Sequence, residues 1–110
     1  MQLPDAGRAQ VDAEKITDYL LSANHPNGRP KAEFFTRIGF RAGEWSVLKD
    51  ALLKHGATQR AVRVVESRYG IRYIVKGLLE LPSGRNPMVR SVRFITNEKP
   101  IPRLITAYPI

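Results

Sequence analysis

His25 stands in the loop His25-Pro26-Asn27-Gly28-Arg29-Pro30-Lys31, where an imidazole, a guanidinium and an ammonium group gather among backbone-shaping prolines and a glycine. An imidazole takes or gives a proton near neutral pH. A turn that leads into a helix start is a natural seat for an anion. The same stretch also reads as plain punctuation between two helices, with His25 a solvated turn residue. At the far end the chain runs Arg103-Leu104-Ile105-Thr106-Ala107-Tyr108. Thr106 and Tyr108, two residues apart, share one face of a strand. A hydroxyl beside a phenol can hold and polarise a phosphate, although Thr and Tyr also favour strands for their own sake. The chemistry within reach of such groups is metal-free cleavage of RNA. It needs a base for the 2′-hydroxyl, an acid for the leaving 5′-oxygen and cations for the phosphorane.

Other chemistries lack their components. There is no cysteine, which excludes disulfides, thiolate metal sites and cysteine nucleophiles. Two histidines do not suggest a His-rich metal site. No carboxylate pair suits glycoside hydrolysis, and no phosphate-binding Gly-rich loop, zinc-protease helix or nucleophile elbow is present. Few carboxylates fall in the strand half, which disfavours a magnesium-dependent nuclease. No metal and no cofactor are expected. No apolar run approaches the ~20 residues of a membrane-crossing helix. The opening Met1-Gln2-Leu3-Pro4-Asp5 lacks a basic start followed by an apolar stretch. No membrane association and a cytoplasmic location are the expectations.

The 110 residues suit one domain, 1–110, with a helical half over 1–58 and a β-meander over 59–110. A first helix is expected over Ala13–Ser22, capped by Asp12, with Ile16, Tyr19 and Leu20 on its apolar face. A second begins at Pro30 or Lys31, buries Phe34, Phe35 and Ile38, and stops at Gly39. A third spans Gly43–His55, with Trp45, Leu48 and Leu52 inward, His55 as a C-terminal cap and Gly56 following as the terminator. Four strands follow, near Arg60–Ser67, Ile71–Leu81, Met88–Thr96 and Arg103–Tyr108, with Phe94 assigned to the core. Short turns between them imply an antiparallel sheet, and helices preceding strands imply an α+β fold with the N-terminal helices packed on a four-stranded antiparallel sheet.

Charge is distributed unevenly. The formal net charge is +8, and the excess lies almost wholly in the strand half. One sheet face must bury against the helices while the other can stay in water. Arg63, Arg72, Lys76, Arg90 and Arg103 are candidates for the open face, and Arg29 joins them from the loop. An arginine-lined sheet suits a polyanionic backbone, so RNA is the expected ligand. The same residues would serve as a solvated face whose long side chains discourage edge pairing. The aromatic pattern of an RNA-recognition sheet is absent, which favours a phosphate-directed site over base stacking.

The stretch Leu21–Phe35, with Gly39-Phe40 and the ending Pro102-Arg103-Leu104-Ile105-Thr106-Ala107-Tyr108-Pro109, resembles a family of short bacterial domains that share "HPxGxxKAxFF", "GF" and "PRLxTAYP". The layout also looks like that of metal-independent ribonuclease toxins such as barnase, the EndoU type, tRNA-cutting colicins and RelE. Carried over by position, this second resemblance implies His25, Lys31, Arg103, Thr106 and Tyr108 as catalytic groups. His25 would be base or acid, Lys31 and Arg103 would stabilise the phosphorane, and Thr106 and Tyr108 would position the phosphate. It further implies a small acidic antitoxin or immunity protein as partner. EndoU-type sites use two histidines. With one here, a lysine or tyrosine takes the second role, or the activity is absent. The alternative is a non-catalytic module that binds nucleic acid or an acidic protein, as a component of a toxin–antitoxin or phage-associated system.

Overall fold

The computed structural model describes residues 1–110, and its second half is built by the β-branched runs. Strands β1 (Arg60–Ser67), β2 (Gly70–Leu78), β3 (Met88–Thr96) and β4 (Arg103–Pro109) form one sheet in the order β1-β2-β3-β4. Every neighbouring pair is antiparallel, and the register slips between Ala61 and Arg63 and between Val92 and Arg93. Bulges of this kind bend a strand and increase its twist.

The first half is helical but less regular than its apolar spacing suggests. Helix α1 (Ala13–Lys15) runs straight into a π-helical turn, Ile16–Leu20. The wide turn is closed by the Leu21 amide donating to the Ile16 carbonyl at 2.8 Å. Ile16 and Leu20 are buried, and Tyr19, half-buried, packs against the same core while its hydroxyl reaches outward. Asp12 makes no side-chain cap to this helix, because its carboxylate is taken by Arg103. Helix α2 (Arg29–Arg37) carries Pro30 in its first turn, and Gly39 ends it with a φ of 112°, where a side chain would be strained. A 3-10 turn, Ala42–Glu44, leads into α3 (Trp45–Thr58).

The helices cover one face of the sheet, and the main core lies between the layers around Leu20, Phe35, Leu48, Leu52, Leu79 and Val89. Each such side chain contributes about 1.5–3 kcal/mol by leaving water. Alternation assigns the faces. On β3, Val89, Ser91 and Arg93 are buried toward the helices, so Arg90, Val92 and Phe94 point the other way. Phe94 is therefore not a core residue, as its type suggested. It is half-buried on the open face, opposite Arg72 on β2 and Arg103 on β4.

The first ten residues strap the sheet at both edges. Gln2 pairs antiparallel with Arg60 of β1, and the Ala61 amide donates to the Met1 carbonyl at 2.8 Å. Leu3 then enters a second small core with Ala61, Tyr73 and Val75. Gln10 pairs parallel with Arg103 of β4, donating to the Pro102 carbonyl and accepting from the Leu104 amide.

Candidate functional site

Three of the five expected catalytic residues, His25, Lys31 and Thr106, converge on a side chain that sequence reading placed in the core. The Tyr19 phenol lies 3.1 Å from Thr106 Oγ1, joining the π-turn to the edge strand β4 across 87 positions of sequence. Lys31 Nζ stands 5.3 Å from the Tyr19 ring centroid and Lys15 Nζ 5.1 Å from it. The His25 ring meets the same phenol ring edge-on, with centroids 4.8 Å apart. Gly28 makes this approach possible, since a Cβ there would sit 2.2 Å from the Tyr19 carbonyl oxygen.

Electrostatics loosen the phenol's proton. Burial alone would raise its pKa. The hydrogen bond from Thr106 and the nearby ammonium groups of Lys31 and Lys15 outweigh that and hold it below the ordinary value of 10.0. The result is a polarised phenol flanked by two cations and a hydroxyl.

His25 is engaged differently from its expected role. Its Nδ1 accepts from the Asn27 and Gly28 amides, each at 3.0 Å, so the ring proton resides on Nε2. The imidazole shapes the turn, and Lys31 Nζ closes it by donating to the Asn27 carbonyl at 3.2 Å. Arg103 does not join the Tyr19 group. Its guanidinium lies 2.6 Å from Asp12 at the surface. Tyr108 lies beyond Thr106 on the open face, opposite Arg90.

Register brings the predicted Lys76 and Arg90 together and adds Arg60, which the sequence reading did not single out. Arg60 faces Lys76 and Lys76 faces Arg90, which gives a row of like charges running across β1, β2 and β3 to Tyr108 on β4. Arg63 and Arg72 lie on the same face, and no strand carboxylate shares it. Like charges directly opposite each other destabilise a sheet. Arg29 stands apart, 3.5 Å from Glu33 on the exposed side of α2. It lines the roomiest cleft, about 580 Å³, with Leu21, Ala32, Glu33, Thr36 and Arg37, apart from the Tyr19 group. No cluster of three His, Asp or Glu side chains able to hold a metal ion is present.

A second polar group lies under α3 and replaces the expected helix cap. His55 is fully buried, with Nδ1 2.9 Å from Ser91 Oγ and Nε2 3.2 Å from the Gly77 carbonyl. Burial, with the Arg93 charge adding to it, pushes its pKa down to about 4. Arg93 is wholly enclosed. It donates from Nη2 to the Leu52 carbonyl at 2.6 Å and from Nε to Ser91, while Nη1 has no partner. Burial pushes its pKa down to about 10. Gly56, expected as a terminator, lies inside α3 because a Cβ there would come within 3.0 Å of this guanidinium.

The fold is similar to that of a chain in the contact-dependent growth inhibition toxin–immunity protein complex from Klebsiella pneumoniae 342. The TM-score is 0.68 at 19% identity, with 97% of each chain covered. No curated protein sequence matches the chain. A profile described as a domain of unknown function, DUF6883, matches residues 2–110. The chain is a member of the DUF6883 family.

Proposed function

We propose that this chain is a toxin domain that cleaves RNA phosphodiester bonds without a metal, acts in the cytoplasm and is held in check by a small acidic immunity protein. The observation that carries the reading is the meeting of Lys31 and Thr106 on Tyr19 at the rim of a cationic sheet face. The row Arg60–Lys76–Arg90 costs stability unless an anion neutralises it, and it leads to the edge strand that bears Thr106. An RNA backbone laid across the strands would place a phosphate beside Lys31 and Thr106, with Tyr108 available to its neighbour. The structural neighbour belongs to a toxin–immunity pair. A basic chain suits the member of such a pair that acts on nucleic acid, and an acidic chain suits its inhibitor.

The test is incubation of total RNA with the purified chain in EDTA, beside Lys31→Ala and Thr106→Val. Cleavage by the wild type that falls ~100-fold or more in both variants supports the reading. Equal cleavage by all three overturns the site. A second reading, a non-catalytic binding module, is favoured by the engagement of His25 Nδ1 in its turn and of Arg103 with Asp12. It predicts RNA or acidic-protein binding that weakens steeply with salt, with no turnover.

A further inference from the structure

We infer that Tyr19 is a catalytic residue, the base that removes the 2′-hydroxyl proton, with Lys31 the acid that protonates the leaving 5′-oxygen. The inference rests on the RNA-cleaving reading and names the groups that would move its protons.

Three observations carry it. First, His25 cannot act as the base in its observed state, because Nδ1 accepts two backbone amides and Nε2 carries the proton. Second, Tyr19 is the one group touched by all the expected site residues that come together, and its hydroxyl is held by Thr106 at 3.1 Å. Third, the titratable neighbours of the phenol are Lys15 from α1, Lys31 from α2 and His25 from the loop, and no carboxylate is hydrogen-bonded to it. This environment favours the phenolate, in keeping with the lowered pKa. A structural tyrosine in a core needs no such company.

The step balances. The Tyr19 phenolate takes the 2′-hydroxyl proton as the 2′-oxygen forms a bond to the adjacent phosphorus. The bond from phosphorus to the 5′-oxygen breaks, and that oxygen takes a proton from the Lys31 ammonium. The products are a 2′,3′-cyclic phosphate and a 5′-hydroxyl. Tyr19, now protonated, returns the proton to the Lys31 amine, and both groups regain their starting states. Thr106 donates to the phenolate oxygen and keeps it aimed.

The experiment measures cleavage of a fluorescent single-stranded RNA in EDTA across pH 6–10, with binding followed separately by anisotropy. Wild type is expected to show a rate that climbs with pH toward a limb set by Tyr19. Tyr19→Phe is expected to lose ~100-fold or more in kcat, to lose that climb and to bind RNA within about threefold of wild type. Replacing the tyrosines by 3-fluorotyrosine, whose phenol is more acidic, should move the limb to lower pH. A purely packing role for Tyr19 would leave the limb in place. If wild type cleaves and Tyr19→Phe keeps the rate and profile, the inference fails while the nuclease reading stands. If wild type binds RNA but never cleaves it, the nuclease reading fails first.

Discussion

Two polar clusters join the helical half to the sheet, and they differ in what surrounds them. Under α3, His55, Ser91 and Arg93 are sealed from water with no carboxylate among their hydrogen-bond partners. At the β4 edge, Tyr19, Lys31 and Thr106 are half-buried and keep part of their surface in water. Enclosure penalises charge, so both pKa values in the first cluster fall, toward neutral histidine and a less tightly protonated arginine. At Tyr19 burial also opposes the charged form, but the Thr106 hydrogen bond and the two ammonium groups outweigh it and favour the anion. Polar groups of similar kinds therefore hold layers together in one place, and in the other they form the group to which we assign proton transfer.

The largest test of this division is Arg93. Arg93→Ala should cost on the order of 3–5 kcal/mol in urea unfolding, because it leaves a large cavity and strips Ser91 of a donor. Arg93→Met fills the space and removes the unpartnered Nη1, so it should stay within about 1.5 kcal/mol of wild type. Loss of the proposed RNA cleavage in a well-folded Arg93→Met would break the division between the clusters. Next is pH. His55 has a folded pKa of about 4 against an unfolded value near 6.5, so the unfolded chain binds the proton more readily. Its contribution is whole above pH 6.5 and is lost as pH falls through 4, a decline of about 3 kcal/mol. Urea midpoints measured from pH 7 to 4 should show this slope in wild type and a shallower one in His55→Gln.

A smaller effect sharpens the picture at Gly56. Alanine favours a helix by about 1 kcal/mol over glycine, yet its Cβ would press on the Arg93 guanidinium. Gly56→Ala should therefore destabilise wild type by about 1 kcal/mol and stabilise the Arg93→Met background, a sign change that a double-mutant cycle reads directly. Smallest is Asp12→Ala. Its ion pair with Arg103 is half-exposed, so the loss should be no more than about 1 kcal/mol and should shrink further in salt.

Much of the sheet was legible because alternating β-branched residues between Gly and Pro turns encode strands directly. β1 and β3 fall on their expected bounds. The face of β3 was harder to read. Met88, Val92 and Phe94 make one side look apolar, yet Val89, Ser91 and Arg93 form the buried one, because Ser91 and Arg93 find partners on α3. Residue type alone cannot reveal such partners. His55 carried a usable signal, since it continues the Leu48 and Leu52 stripe one turn further along the helix. Tyr19 was missed because helical spacing counted its ring as apolar and could not foresee a π-turn that rotates the hydroxyl toward Thr106. The cationic face was legible from charge and alternation, whereas the meeting of distant segments at Tyr19 needed the fold.

The strap formed by the first ten residues has a mechanical consequence. Its fastening to β1 lies at the outermost position, so a tug arriving through Met1 loads the Ala61 amide bond alone, then the Gln2 bridge, then the Leu3 anchor. Bonds loaded in series break singly and under little force, whereas bonds sheared together resist as a group. Peeling the strap from the Met1 side therefore strains its fastenings one after another.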